Sequence, residues 1–366
     1  MRILLTAFSI SARTGSELAV LEIAESLRDR GHKIAIATVR KGSLASTFQK
    51  NTGIRVFRIN EVESILEFQA EVMHVFHWPT LLFLQQKGVD LPWVIGFLGV
   101  LPSIENPIPL LEKSPMWYGI SEEVRSNILQ IRGWEDSIAR SRIIRNWFDD
   151  RNINQIRKLT TVAIRRVAFV SNHDSEEIQR SLQFARDKLG IKIEHIGAPG
   201  KIRKVDAKFL LKYDAIITIG RTAILSMAVG LPTLITDLNG SDGWVLEKNV
   251  QKLSQHNFSG RASSHIVTES TIAENLQNPP TLNDLTEVQK WAWENTKLSS
   301  AVSSIEKLCM DAMELGENPQ FLTRSLGTDI WDVFREISLL NLEFIPRLFR
   351  MLKAFYSRKK YLRTST

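Results

Sequence analysis

Tyr213-Asp214-Ala215-Ile216-Ile217-Thr218-Ile219-Gly220-Arg221-Thr222-Ala223-Ile224-Leu225-Ser226-Met227-Ala228-Val229-Gly230-Leu231-Pro232 is the stretch on which the reading of this chain turns. An apolar run of strand length ends at Gly220, and a helical pattern starting at Arg221 or Thr222 runs until Gly230 stops it. Pro232 then opens the next strand. The start of such a helix offers backbone N–H groups and the positive end of the helix dipole, which suit a phosphate. Gly220 lets an anion approach the backbone, Arg221 adds a fork of donors, and Thr222 serves as cap and hydroxyl donor. Spacing alone fits equally well an ordinary strand–turn–helix of any α/β protein.

Outward from this stretch, strands and helices alternate. Strand-like runs fall at 2–7, 33–38, 54–57, 71–75, 92–96 and 116–119, with helical patterns near 15–30, 42–50, 61–69 and 79–87. A second series follows a charged stretch at 150–165. Strands are predicted at 166–170, 191–196, 215–219 and 232–236, and helices at 174–189, 205–212 and 221–229. This alternation predicts two doubly wound, Rossmann-like parallel sheets facing a cleft. The expected division is an N-terminal domain at 1–155, a second at 160–285, a returning helix at 286–315 with one break, and a basic helical tail at 316–366. Within the tail a helix over 328–358 is expected to kink at Pro346.

Composition narrows the classes. With 366 residues, 43% of them hydrophobic and 24% charged, the chain has the make-up of a globular protein, not a disordered one. One cysteine, Cys309, makes no internal disulfide and points to a reducing, cytosolic setting. Met1-Arg2-Ile3-Leu4-Leu5 imitates a signal peptide, but the helix and strand behind it favour a buried first strand. The longest apolar run, 94–101, is far below the ~18 residues of a membrane span. The formal charge of +7 is carried entirely by Arg347, Arg350, Lys353, Arg358, Lys359, Lys360 and Arg363, with no acid among 344–366. Charge confined to a tail speaks against a nucleic-acid partner.

The quoted stretch resembles the donor-binding signature of GT-B glycosyltransferases, family 4 in particular, where a helix ending in Gly-x-Pro follows a small-residue turn. Other segments agree in order. Ala12-Arg13-Thr14-Gly15-Ser16-Glu17 is similar to the family's loop before a Glu, and Arg28-Asp29-Arg30-Gly31-His32 to its "RGH" helix end. Tyr118-Gly119-Ile120-Ser121-Glu122-Glu123-Val124 is similar to its "vSeev" helix start. Ile143-Ile144-Arg145-Asn146-Trp147-Phe148-Asp149 is similar to its "I-x-N-G-x-D" crossing, with Trp147 in place of the glycine. Together they cover about residues 1–245. The resemblance implies the GT-B fold, with Gly220, Arg221, Thr222 and Ala223 facing a donor diphosphate and the loop at 237–243, including Gly240 and Ser241, lining the same cleft. Gly15 and Ser16 join the ligand-binding set, with Glu17 and His77 as catalytic candidates. Glu17 is equally well a favourable acid in the first turn of a helix, and His77 equally well a structural histidine beside Trp78.

Three features usual in the family are missing. Its two glutamates before Gly-x-Pro fall on Ile217 and Leu225, its Arg…Lys pair on Val170-Ser171-Asn172-His173-Asp174, and its N-terminal histidine near Leu98. The resemblance therefore implies one of two functions. One is a retaining glycosyltransferase moving a sugar from a nucleotide diphosphate sugar to a glycan or lipid-linked acceptor, with domain closure excluding water. The other is an inactive GT-B-shaped partner or scaffold subunit in glycan assembly. A sugar-nucleotide epimerase on the same fold is a third reading. No metal is expected, and no cofactor beyond the nucleotide sugar as co-substrate. The apolar periodicity and basic end of 344–363 suit either an anionic membrane surface on the cytoplasmic side or packing against the N-terminal domain.

Overall fold

The computed structural model describes residues 1–11, 14–101, 103–105, 115–131, 133–159, 163–173, 175–198, 200–201, 203–263 and 265–317. The helix expected at 328–358 and the membrane-facing role of 344–363 lie outside these residues, as do Ala12, Arg13 and Asp174. The chain packs into two units. Of the described residues, one holds those of Met1–Gly119 and Val124–Arg142 and those from Glu306 to Glu317; the other holds those of Ile120–Glu123 and Ile143–Ile305.

The first series of elements is β1 (Arg2–Ile10), α1 (Gly15–Asp29), β2 (Lys33–Lys41), α2 (Ser43–Thr52), β3 (Arg55–Arg58) and α3 (Val62–Glu67). It continues with β4 (Val72–Phe76), α4 (Trp78–Gln86), β5 (Trp93–Phe97), β6 (Met116–Gly119), α5 (Glu122–Ile128) and β7 (Ser141–Ile143). They form a seven-stranded sheet in the order β3-β2-β1-β4-β5-β6-β7, and β1 to β6 pair in parallel. Strands covered by helices on both faces read as unbroken apolar runs, and β4 and β5 are buried at every residue.

One close fit holds the middle of this sheet. His74 on β4 stacks on Tyr118 of β6 with ring centroids 5.8 Å apart, and its Nε2 lies 3.0 Å from the phenol oxygen. Burial lowers the His74 pKa to about 3, so the ring is neutral. The tyrosine crosses β5 where Gly96 leaves room, for a Cβ there would lie 2.4 Å from the ring. Gly96→Ala is expected to lower stability by about 1–3 kcal/mol through overpacking, read as a fall in the denaturation midpoint with unchanged m.

The second series is β8 (Arg166–Val170), α6 (Glu176–Leu189), β9 (Lys192–Ile196), α7 (Ala207–Leu210), β10 (Ala215–Thr218) and α8 (Gly220–Ala228). After it come β11 (Thr233–Asp237), β12 (Gly240–Trp244), α9 (Val250–Gln255), α10 (Thr271–Gln277), α11 (Leu282–Asn295) and α12 (Leu298–Leu315). Five strands lie in the order β12-β11-β10-β8-β9. All neighbours are parallel except β11 and β12.

Two local expectations are corrected. The segment expected as a loop at 237–243 is a tight hairpin whose return limb, β12, pairs antiparallel with β11. Gly240 makes the turn with φ +133°, and a Cβ there would meet the Gly260 carbonyl oxygen at 2.6 Å. The expected long helix starts earlier, at Leu282, under a Thr281–Asp284 capping box, and its break falls at Thr296.

Helix α12 ends in the first unit, where Glu306 accepts from Arg30 (2.9 Å) and lies 2.8 Å from His32 Nε2. Burial pushes the Glu306 carboxyl up, but the hydrogen bonds from His32 and Arg30 outweigh it and hold its pKa below the ordinary value. A depressed carboxyl stabilises the fold above its unfolded pKa and loses that contribution as pH falls through the folded one. Glu306→Gln is therefore expected to lower the melting temperature by about 2–4 °C at pH 7. The difference from wild type should shrink progressively as scans are taken below the ordinary glutamate pKa of about 4.3.

Candidate functional site

In an open α/β sheet, ligands bind beyond the carboxyl ends of the strands where strand order reverses. The first sheet reverses at β1, which pairs with β2 on one side and β4 on the other. The second reverses at β8, between β9 and β10. Each unit presents its own group of polar residues at that place.

In the first unit, β1 runs into Ser11, and Thr14 caps α1. Gly15 is exposed and Ser16 half-buried at the start of the helix. Glu17 is buried and turned back on the loop. Its Oε1 accepts from Ser9 Oγ (2.7 Å) and Ser11 N (2.9 Å). Its Oε2 accepts from Thr14 Oγ1 (3.1 Å) and Thr14 N (3.3 Å). This is a capping box extended by a serine, and it fixes the loop.

His77 follows β4 with φ +67°, a conformation L-residues rarely take. Its Nδ1 accepts from the Phe8 N–H (3.1 Å), which leaves the proton on Nε2, 3.3 Å from Glu105 Oε1. Glu105 Oε2 accepts in turn from Leu98 N (2.8 Å), and both side chains are buried. The two ring nitrogens of His77 are thus engaged within the unit.

In the second unit, β10 ends at Thr218, whose hydroxyl donates to the Val170 carbonyl (2.7 Å). The residue before the helix is Ile219, with extended backbone and no side-chain cap, so Thr222 is not the cap expected from the sequence but the third residue of α8. Gly220 takes φ +58°, and nothing lies within 4 Å of where its Cβ would be. Its N–H donates to the Phe258 carbonyl at 3.0 Å. The Arg221 guanidinium stacks 5.6 Å from the centroid of the Trp147 ring. Ala223 is fully buried, and Thr222 half-buried.

Gly240 and Ser241 stand on the far side of β11. Ser241 is buried, with its hydroxyl 2.7 Å from that of Thr236 and its N–H donating to the His265 carbonyl (2.9 Å). Ile217 is fully buried in an apolar cluster with Val167, Phe169 and Leu234, and Leu225 packs beside Met227 and Ile224. Neither place has a side chain that accepts a hydrogen bond from a ribose hydroxyl.

Sequence reasoning missed a second group at this edge. Asp237, the last residue of β11, is fully buried. Its Oδ1 accepts from Ser171 Oγ (3.1 Å), and its Oδ2 lies 2.5 Å from His173 Nδ1. The hydrogen bond to Asp237 raises the His173 pKa, against an opposing pull from burial and with help from the aspartate's charge. The signal in the sequence was a Ser-x-His directly after one strand and an Asp closing another. Among the described residues no group of three or more His, Cys, Asp or Glu is placed to hold a metal ion. No helix among them is long and apolar enough to cross a membrane.

A histidine whose folded pKa is raised stabilises the fold below its unfolded pKa and loses that contribution as pH rises through the folded one. His173 is therefore expected to titrate above about 6.5 in an NMR pH series and to fall back in Asp237→Asn.

The chain matches no protein-family model and no curated protein sequence. Solved structures do match its fold. HepE of Anabaena, in complex with UDP and glucose, is 12% identical over 84% of this chain and 98% of its own, with a TM-score of 0.59. A glycosyltransferase from Rickettsia africae is 13% identical over 85% and 98%, with a TM-score of 0.57. MnaA of S. aureus, solved with UDP, is 10% identical over 88% and 100%, with a TM-score of 0.53. With two mainly parallel sheets, each reversing its strand order and each flanked by helices, the chain has the GT-B fold of the glycosyltransferases.

Proposed function

We propose that this chain is a glycosyltransferase that takes its sugar from a nucleotide diphosphate sugar, binding the donor on its second unit and the acceptor on its first. The observation that carries the reading is the start of α8: a helix with no side-chain cap, opened by a glycine, beside the strand-order reversal of the second sheet. Its dipole and the first-turn N–H groups beyond Gly220, whose own N–H is taken by the Phe258 carbonyl, suit a diphosphate, and Arg221 adds a cation held on Trp147. UDP in the structures of HepE and MnaA, which share the fold, supports a nucleotide donor. As the sugar–oxygen bond breaks, charge grows on the departing diphosphate, and fixed dipoles and cations stabilise it most at that moment.

The finer parts of the proposal rest on the resemblance to family 4. They are transfer with retention, a glycan or lipid-linked acceptor in surface polysaccharide or glycoconjugate synthesis, and no cofactor beyond the nucleotide sugar. The basic segment 344–363 supports work on the cytoplasmic face of a membrane. One observation favours a second reading, an inactive partner subunit: apolar Ile217 and Leu225 occupy the places of the family's glutamates.

A thermal-shift screen against UDP, GDP, dTDP, ADP and their common sugars separates the two. At a hundred times its Kd a donor is expected to stabilise the native state by about 2.7 kcal/mol, and Arg221→Ala to abolish most of the shift. Release of free nucleotide from the matching sugar nucleotide would then establish turnover. Silence with every nucleotide at millimolar concentration would reject the transferase in favour of the partner subunit.

A further inference from the structure

The His173–Asp237 pair is unlike the His77–Glu105 pair of the first unit. His77 is buried with both ring nitrogens engaged. His173 has Nδ1 on Asp237, while its side chain is 48% exposed, and among the described residues nothing bonds its Nε2.

Its place follows from the sheet. β10 lies between β8 and β11, so a bond from the segment after β8 to the last residue of β11 must pass across the carboxyl end of β10. That end carries Ile219 and Gly220, from which α8 starts. The pair thus spans the strand that opens the candidate donor site.

The segment that carries His173 is braced from both sides. The His173 N–H donates to Ser171 Oγ (2.9 Å), and the same hydroxyl donates to Asp237. From β9, His195 Nε2 donates to the Ser171 carbonyl (3.0 Å), and just beyond that strand the Ala198 N–H donates to Asn172 Oδ1 (3.1 Å). Gly197 packs so closely that a Cβ would lie 2.2 Å from the Ser171 oxygen. A ring fixed this firmly loses little freedom on meeting a ligand.

We propose that His173, oriented by Asp237, is a ligand of the donor's diphosphate through Nε2–H, and that Asp237 is its positioning residue. The inference rests on the donor-site reading above and adds the side chain that grips the phosphate. An imidazolium whose Nδ1–H is held by a carboxylate presents one aimed, charged donor, and charge-assisted hydrogen bonds to phosphate are about twice as strong as neutral ones. The raised pKa of His173 agrees with this form. The family's Arg…Lys pair is missing from this segment, and a held imidazolium supplies a cation in its stead.

The test is isothermal titration of the full chain with UDP, GDP, dTDP and ADP, each beside its nucleoside. For the diphosphate that wild type binds, His173→Gln is expected to weaken affinity by about tenfold or more, leaving affinity for the nucleoside unchanged. His173→Arg, which keeps a cation, should restore binding of the diphosphate to within a few-fold. Asp237→Asn should weaken the diphosphate in parallel with a fall in the NMR-measured pKa of His173, a coupling that a purely structural aspartate would not give. Circular dichroism and melting temperature certify that each variant is folded, and the arginine variant tests the idea even if the glutamine variant is not. Unchanged diphosphate affinity in a folded His173→Gln, or equal losses for diphosphate and nucleoside, would overturn this assignment while leaving the donor site standing. Failure of wild type to bind any of the four would overturn both.

Discussion

Parallel strands cannot be joined by tight turns, so each needs a crossover, and the side to which successive crossovers run decides where a sheet can hold a ligand. Where the order reverses, two neighbouring loops part and their strand ends are left accessible. Each sheet of this protein has one such place, beside β1 in the first and beside β8 in the second. The polar groups with a claim to chemistry gather there because the apolar strands exclude them from everywhere else in the layers. Buried positions on β4, β5, β10 and β11 are almost all aliphatic, aromatic or hydroxyl-bearing.

The two places are furnished differently. In the first unit the buried carboxylates turn inward. Glu17 accepts from the loop it caps, and Glu105 joins His77 to the Leu98 backbone. Such groups stiffen loops, because a buried carboxylate that loses its donors leaves a costly unsatisfied charge. His77 keeps a rare positive φ under that bracing, and the first turn of α4 starts directly after it.

In the second unit the arrangement faces outward. Asp237 is buried at the end of β11, where an isolated carboxylate would be strongly disfavoured. Ser171 and His173 supply the compensating hydrogen bonds, and both come from the segment after β8. Asp237 therefore does two things at once: it ties the segment after β8 to β11 over the end of β10, and it raises the pKa of a histidine that remains half-exposed. The uncapped start of α8 and the Arg221–Trp147 stack belong to the same unit. On the proposed reading these groups form the edge that meets the donor's phosphates.

Much of the architecture was legible in the chain itself. Apolar runs mark β1 to β6 and β8 to β11 within a few residues, and the glycines after helical patterns mark their ends, as at Gly53 and Gly190. Local periodicity suffices there, because a strand buried on both faces or a helix buried on one must show it in sequence. It does not suffice for β12, a polar, glycine-rich segment that becomes a strand only because β11 offers it an open edge. Nor does it fix the use of a polar residue. Glu17 and His77 have the residue types of catalysis, and only the fold shows which groups meet their oxygens and nitrogens. His173 and Asp237 lie 64 residues apart, at the ends of strands that are not even neighbours in the sheet. Sequence determined which segments form the layers; tertiary structure alone decided which polar groups meet, because a hydrogen bond depends on distances that only strand order brings within reach.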